Sequence, residues 1–194
     1  MNNIAQPIIS DNIYLLVAPE KEAESQILKL SKTEDWQMAS IQGEKFPDTN
    51  GFFETLKDIF QTPDYCSGGW NSFWEYIGED LNTLTPAKGY VFYISHADQL
   101  FKNSDPNFDT FIDVFEDAAR VWSRQNIPFK VFLHVNPENE DVARRRLREA
   151  DEKAEKERQR LRAAEAQPAS RRIAISILVI MLAIYILSFL RNYL

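Results

Sequence analysis

Apolar and polar positions along the first 135 residues follow two periods. Compact β-prone runs at 12–18 (NIYLLVA), 36–42, 90–95 (YVFYIS) and 129–135 (FKVFLHV) read as strands. Helical spacing separates them. Residues 20–32 form a polar helical stretch, and Phe52, Phe53, Leu56, Ile59 and Phe60, set behind Asn50, mark an amphipathic helix that Thr62-Pro63 stops. From Gly69 onward Trp70, Phe73, Trp74, Ile77 and Leu81 form a further stripe. Asp105-Pro106 opens a helix whose stripe is Phe108, Phe111, Ile112, Phe115, Ala119 and Trp122, while Asp105, Asp109, Asp113 and Asp117 recur every four residues on another face. Strands alternating with helices imply parallel pairing through right-handed crossovers, an α/β domain. Residues 1–10, with Asn2, Asn3 and Pro7, read as a flexible start. Residues 11–35 read as a strand–helix extension before the main domain at 36–136.

The pattern changes at Asn136-Pro137. Acid-to-base pairs four apart follow: Glu140–Arg144, Asp141–Arg145, Glu149–Lys153 and Glu152–Lys156. Each adds a few tenths of a kcal/mol to an exposed helix. Apolar residues there are sparse and mostly Ala, too few for a coiled-coil seam, so residues 137–170 read as a charged helical linker ended near Pro168. Residues 173–190 (IAISILVIMLAIYILSFL) carry no charge. With Arg171 and Arg172 on one flank and Arg191 on the other, they approach the ~20 apolar residues that span a bilayer. The expectation is a single transmembrane anchor over 171–192 at the C-terminal end. Basic residues on its amino-terminal flank place the globular part on the cytoplasmic side of a bacterial cytoplasmic membrane.

Charge sharpens the division. The net charge of −7 combines 10 basic against 20 acidic residues over 1–136 with 11 basic against 9 acidic over 137–172. A domain at −10 is a poor direct ligand for nucleic acid; from charge alone the excess acid serves solubility first, and the other reading is attraction of a basic protein. Residues 1–6 carry no signal-peptide pattern, and the single cysteine, Cys66, forms no intrachain disulfide, which fits a reducing compartment.

Candidate chemistry is thin. Cys66, His96 and His134 lie in no catalytic motif, and one Cys with two separated His gives no metal-ligand spacing. There is no P-loop and no GxGxxG. No enzyme activity, cofactor or metal is expected. What remains is the stretch PDYCSGGWNSFWEYIGEDL at 63–81, where tryptophans and acids crowd a loop–helix junction. Trp70 and Trp74 lie four apart, as do Asn71 and Glu75. Trp74 serves either the core or a partner-facing surface. In the second case Tyr65, Asn71 and Glu75 frame an aromatic anchor with acid aimed at a basic cleft.

Residues 36–135 resemble the barstar family, inhibitors of secreted ribonucleases such as barnase. The resemblance is carried by IQGE at 41–44, FFETLKDIFQTPDY at 52–65, GWNSFWEYI at 69–77, FIDVFEDAARVW at 111–122 and FKVFLHV at 129–135. It implies a small three-stranded parallel sheet covered by helices. It also implies an inhibitory surface made of the 63–77 loop and helix plus an acid on a later helix, with a carboxylate that mimics substrate phosphate. Partner-binding positions carried over are Tyr65, Trp74 and Asp117, and Trp70, on the same helix, is counted with them as partner-binding. Glu75 stands where the family has its key aspartate, and Asn71 where it has another acid. Cys66 replaces a tyrosine, and Ser67-Gly68-Gly69 alters the loop. These departures imply a target other than barnase itself.

The expectation is therefore a membrane-tethered, barstar-like immunity protein that blocks the cleft of a basic ribonuclease toxin. The alternative is a membrane adaptor that uses the same face to recruit another protein.

Overall fold

The computed structural model describes residues 5–60 and 69–165. The compact unit Met1–Ala154 holds a five-stranded sheet in the order β1-β2-β5-β4-β3. The strands are β1 (Ala5–Ser10), β2 (Ile13–Val17), β3 (Gln37–Gln42), β4 (Tyr90–Ser95) and β5 (Phe129–Val135). β2, β5, β4 and β3 run parallel, as the βαβ pattern predicts, in the registers Ile13↔Val131, Tyr90↔Phe129 and Gln37↔Tyr90. β4 lies inside the sheet, between β5 and β3, and all six of its residues are buried. A parallel strand covered on both faces reads as an unbroken apolar run, which is why YVFYIS does not alternate.

The helices divide between the two faces. α1 (Glu20–Glu34) lays Ala23 and Ile27 on Leu16, Val91, Tyr93 and Phe132. The other face carries α2 (Phe52–Phe60), α3 (Trp70–Glu75), a π turn at Tyr76–Asp80, α4 (Leu81–Leu84), α5 (Asp105–Arg124) and the first part of α6 (Glu140–Glu165). The predicted stripe of α5 is buried throughout, from Phe108 to Trp122. Phe52 is the hub of an aromatic layer, with ring centroids 4.9 Å from Phe101, 5.4 Å from Phe46 and 6.3 Å from Phe111.

Two expectations are corrected. Residues 5–10 are not loose: they form β1, antiparallel to β2, with Ala5 opposite Leu16 and Ser10 opposite Ile13. Pro7 obscured this strand, yet an edge strand tolerates proline because one side needs no backbone donor. Lys130 secures the turn, its Nζ donating to the Asp11 carbonyl at 2.6 Å and to Asn12 Oδ1 at 3.0 Å. The sheet thus has five strands where the resemblance implied three.

The second correction concerns the charged helix, whose first part belongs to the domain. Ala143, Leu147 and Ala150 are buried in the main core at i, i+4 and i+7. The expected Glu140–Arg144 pair forms at 2.7 Å, whereas Lys153 reaches Asp109 of α5 at 2.9 Å. Among the described residues no helix is long and apolar enough to cross a membrane, and the expected anchor at 171–192 lies outside them.

His134 ties the carboxyl ends of three strands together. It is fully buried; Nε2–H donates to the Ala18 carbonyl at 2.9 Å, and Nδ1 accepts the His96 N–H at 3.5 Å. Gly43 follows β3 here because a Cβ would sit 2.6 Å from the His96 carbonyl oxygen. That close approach accounts for the glycine in IQGE.

Two outcomes follow from this packing. Leu147→Ala should destabilise the chain by about 2–4 kcal/mol in urea unfolding, because Leu147 is 2% exposed. Leu161→Ala, at a site 57% exposed, should cost less than about 0.5 kcal/mol; equal effects would return α6 to the status of a free linker. Burial also pushes the His134 imidazole pKa down. Above about pH 6.5 both folded and unfolded chains hold it neutral, while below that the unfolded chain gains a proton the folded chain refuses. Stability should therefore fall as pH drops from 6.5, by at most about 1.4 kcal/mol per pH unit from this group. His134→Gln should flatten the slope of urea midpoint against pH, and an unchanged slope would exclude His134 as its source.

Candidate protein-binding face

Gly69 opens α3 at φ 111°, in the left-handed region where side-chain-bearing residues are strained, and its carbonyl accepts the Phe73 N–H at 3.0 Å. From that start, positions 70 and 74 fall along one helical row and 71 and 75 along the next. The two tryptophans then part company. Trp70, expected on the partner-facing surface, is turned into the aromatic layer. Its ring lies 5.1 Å from Phe53, 5.7 Å from Phe101 and 5.8 Å from Phe52, and its Nε1–H donates to Asn107 Oδ1 at 3.1 Å. Trp74 is half-buried and packs over Gly78, where a Cβ would come within 3.5 Å of its ring. It belongs to both settings that the sequence left open.

Asn71 and Glu75 are exposed, so Asn71, Trp74 and Glu75 form one outward row on α3. The helix continues through the π turn into α4, and the turn has an identifiable partner: the Trp122 Nε1–H of α5 donates to the Ile77 carbonyl at 2.6 Å. An indole donor at that carbonyl accommodates a departure from i→i+4 bonding. α3 and the π turn both pack on α5, whose outer face presents Asp117 with its side chain 52% exposed. Arg120 answers it at 2.6 Å and also reaches Glu116 at 3.0 Å. Tyr65 and Cys66 fall at 61–68, outside the described residues.

Asn107 and Arg120 were missing from the sequence reading. Arg120 had a signal, since a base three residues beyond Asp117 shares its helix face. Asn107 had none, because its role depends on where Trp70 lands.

His96 and His134 do not assemble a catalytic pair. Both nitrogens of His134 are committed to backbone groups, and His96 Nδ1 lies 3.1 Å from Glu44. Among the described residues no cluster of three or more His, Cys, Asp or Glu side chains is placed to hold a metal.

No curated protein matches the chain in sequence. The family model described as Barstar (barnase inhibitor) matches residues 36–134, from the start of β3 through β5 and just over half of the chain. That span contains the parallel sheet from β3 to β5, the helices across it and the row Asn71, Trp74 and Glu75. The chain belongs to the barstar family.

Proposed function

We propose that this chain is a membrane-tethered inhibitor of a basic ribonuclease, with Tyr65, Asn71, Trp74, Glu75 and Asp117 as its contact residues and Trp70 as their inner support. The observation that carries the reading is the outward row Asn71–Trp74–Glu75 on a helix inside the family match, where the resemblance implies the inhibitory segment. Glu75 makes no ion pair among the described residues, so its carboxylate is available to a guanidinium or imidazolium in a phosphate-binding cleft. The acidic domain supports the same partner by long-range attraction, which speeds association with a basic protein and weakens with salt. Asn71 and the longer Glu75 side chain set the target apart from barnase. Asn71, lacking the family's acid, is also the one observation that favours the adaptor reading.

The test uses the full chain in mild detergent and the RNA-cleaving activity of barnase and of other basic secreted ribonucleases. Inhibition should reach completion near equimolar ratio for the matched ribonuclease, with Glu75→Lys weakening it at least about 100-fold. Against barnase, Asn71→Asp/Glu75→Asp should inhibit at least about 100-fold better than the unmodified chain, because both family carboxylates are restored. A double variant that leaves barnase fully active would sink the inhibitor reading in favour of the adaptor.

Anchoring rests on the uncharged run at 173–190 and its arginine flanks. The full chain should stay with membranes through alkaline carbonate extraction. Ile180→Arg/Ile184→Arg should release it, since each central charge costs about 2.5–3.5 kcal/mol on insertion. Extraction of the unmodified chain by carbonate would remove the anchor from the proposal.

A further inference from the structure

The turn between β4 and α5 holds two strained residues, and one of them packs on Trp70 at the start of α3. His96 and Phe101 both have positive φ, 48° and 52°. For a bulky aromatic that conformation is unfavourable and persists only where surrounding contacts impose it. Phe101 has such contacts. It is fully buried, its N–H donates to the Phe46 carbonyl at 2.7 Å, and its ring packs on Phe52 and Trp70.

The remaining restraint comes from α6. Arg146 Nη1 donates to the Leu100 carbonyl at 2.6 Å and Nη2 to the Phe101 carbonyl at 2.8 Å. The guanidinium also lies 3.9 Å over the Phe108 ring, with Nε 3.4 Å from Asp105 Oδ1, and the side chain is only 13% exposed. A planar fork matches two adjacent carbonyls in a way a single ammonium does not. The Phe101 carbonyl is a junction, because it also accepts the Ser104 N–H at 2.8 Å. Ser104 Oγ accepts from Asn107 Nδ2 at 2.8 Å, and Asn107 Oδ1 holds the Trp70 indole. Arg146 is therefore connected to Trp70 twice, through the Phe101 ring and through the chain Phe101–Ser104–Asn107. It lies beyond the family match at 36–134.

Resting on the inhibitory reading above, we propose that Arg146 is a positioning residue for the target-binding face. By fixing the Leu100–Phe101 turn it sets Trp70, and Trp70 sets the first turn of α3 from which Asn71, Trp74 and Glu75 project. The first part of α6 thus supplies part of the support for the face.

Full-length Arg146→Ala, Arg146→Lys and Lys153→Ala chains test this by hydrogen exchange at assigned protons. Arg146→Ala should accelerate exchange at the Phe101 and Ser104 amides and the Trp70 indole at least about tenfold more than at Val131 in β5. Arg146→Lys should recover part of that protection, and if the alanine chain does not fold it provides the comparison. Lys153→Ala, which removes only the Asp109 pair, should change these protons less than about twofold. Equal acceleration at Trp70 and Val131, or none at either, would overturn the proposal.

A second arm places Arg146→Ala in the Asn71→Asp/Glu75→Asp chain and measures inhibition of barnase. The expected loss is about 10–100-fold. Local loosening with inhibition unchanged would remove Arg146 from the positioning of the face. If the Asn71→Asp/Glu75→Asp chain does not inhibit barnase even with Arg146 intact, the inhibitory reading has failed, and exchange alone then decides whether Arg146 orders α3.

Discussion

β4 and most of β5 bury their side chains on both faces, so the sheet needs cover on each side, and the helices are distributed to supply it. Full burial of one large apolar side chain is worth about 1.5–3 kcal/mol, and these two strands carry most of a core. One face carries α1, with Ala23 and Ile27 against Val91, Tyr93 and Phe132. The other takes α2, α3, α5 and the start of α6, with Phe52, Phe73, Phe101, Phe111 and Phe115 between them and the strands. The small Ala143, Leu147 and Ala150 let α6 join that side.

The aromatic layer also explains the crowding of the loop–helix junction. An outward row can be presented stiffly only if something opposite is held fast. Trp70 is in that position, one residue before Asn71 and four before Trp74, with its ring among Phe52, Phe53 and Phe101 and its indole on Asn107. At the far end the Trp122 indole takes the Ile77 carbonyl at the π turn. The helix bearing Glu75 is secured at both ends by tryptophan side chains, one its own and one from α5.

The strands at 90–95 and 129–135 were legible as compact apolar runs and the stripe of α5 as a long, regular helical period, both of which tertiary packing leaves unchanged. β1 was not, since Pro7 and two polar residues leave no alternation, and its strand character comes from pairing with β2. The start of α6 was hidden for a different reason. Ala143, Leu147 and Ala150 make a stripe so small that arginines and acids dominate the pattern. On the face, the i, i+4 spacing of Asn71 and Glu75 was sufficient to find the outward row. The same spacing could not separate Trp70 from Trp74, because their difference is made by Phe101, brought in by the chain thirty residues later. The π turn depends likewise on a remote indole.

The acids of α5 are divided by their partners, and the division bears on which charge a target meets. Asp105 and Asp109 face Arg146 and Lys153 of α6. Asp117 is paired with Arg120, but that pair is exposed, 52% on the acid and 45% on the base. Exposed pairs contribute about 0–1 kcal/mol, so an incoming arginine can displace Arg120 from Asp117 at small cost. Arg146 is held differently, by two buried carbonyls and a ring, and its release would strand polar groups away from water. Under the inhibitory reading, Asp105 and Asp109 are structural and the Asp117 pair remains exchangeable. Glu75 makes no ion pair among the described residues, so under that reading a basic cleft reaches its carboxylate without first breaking a pair among them.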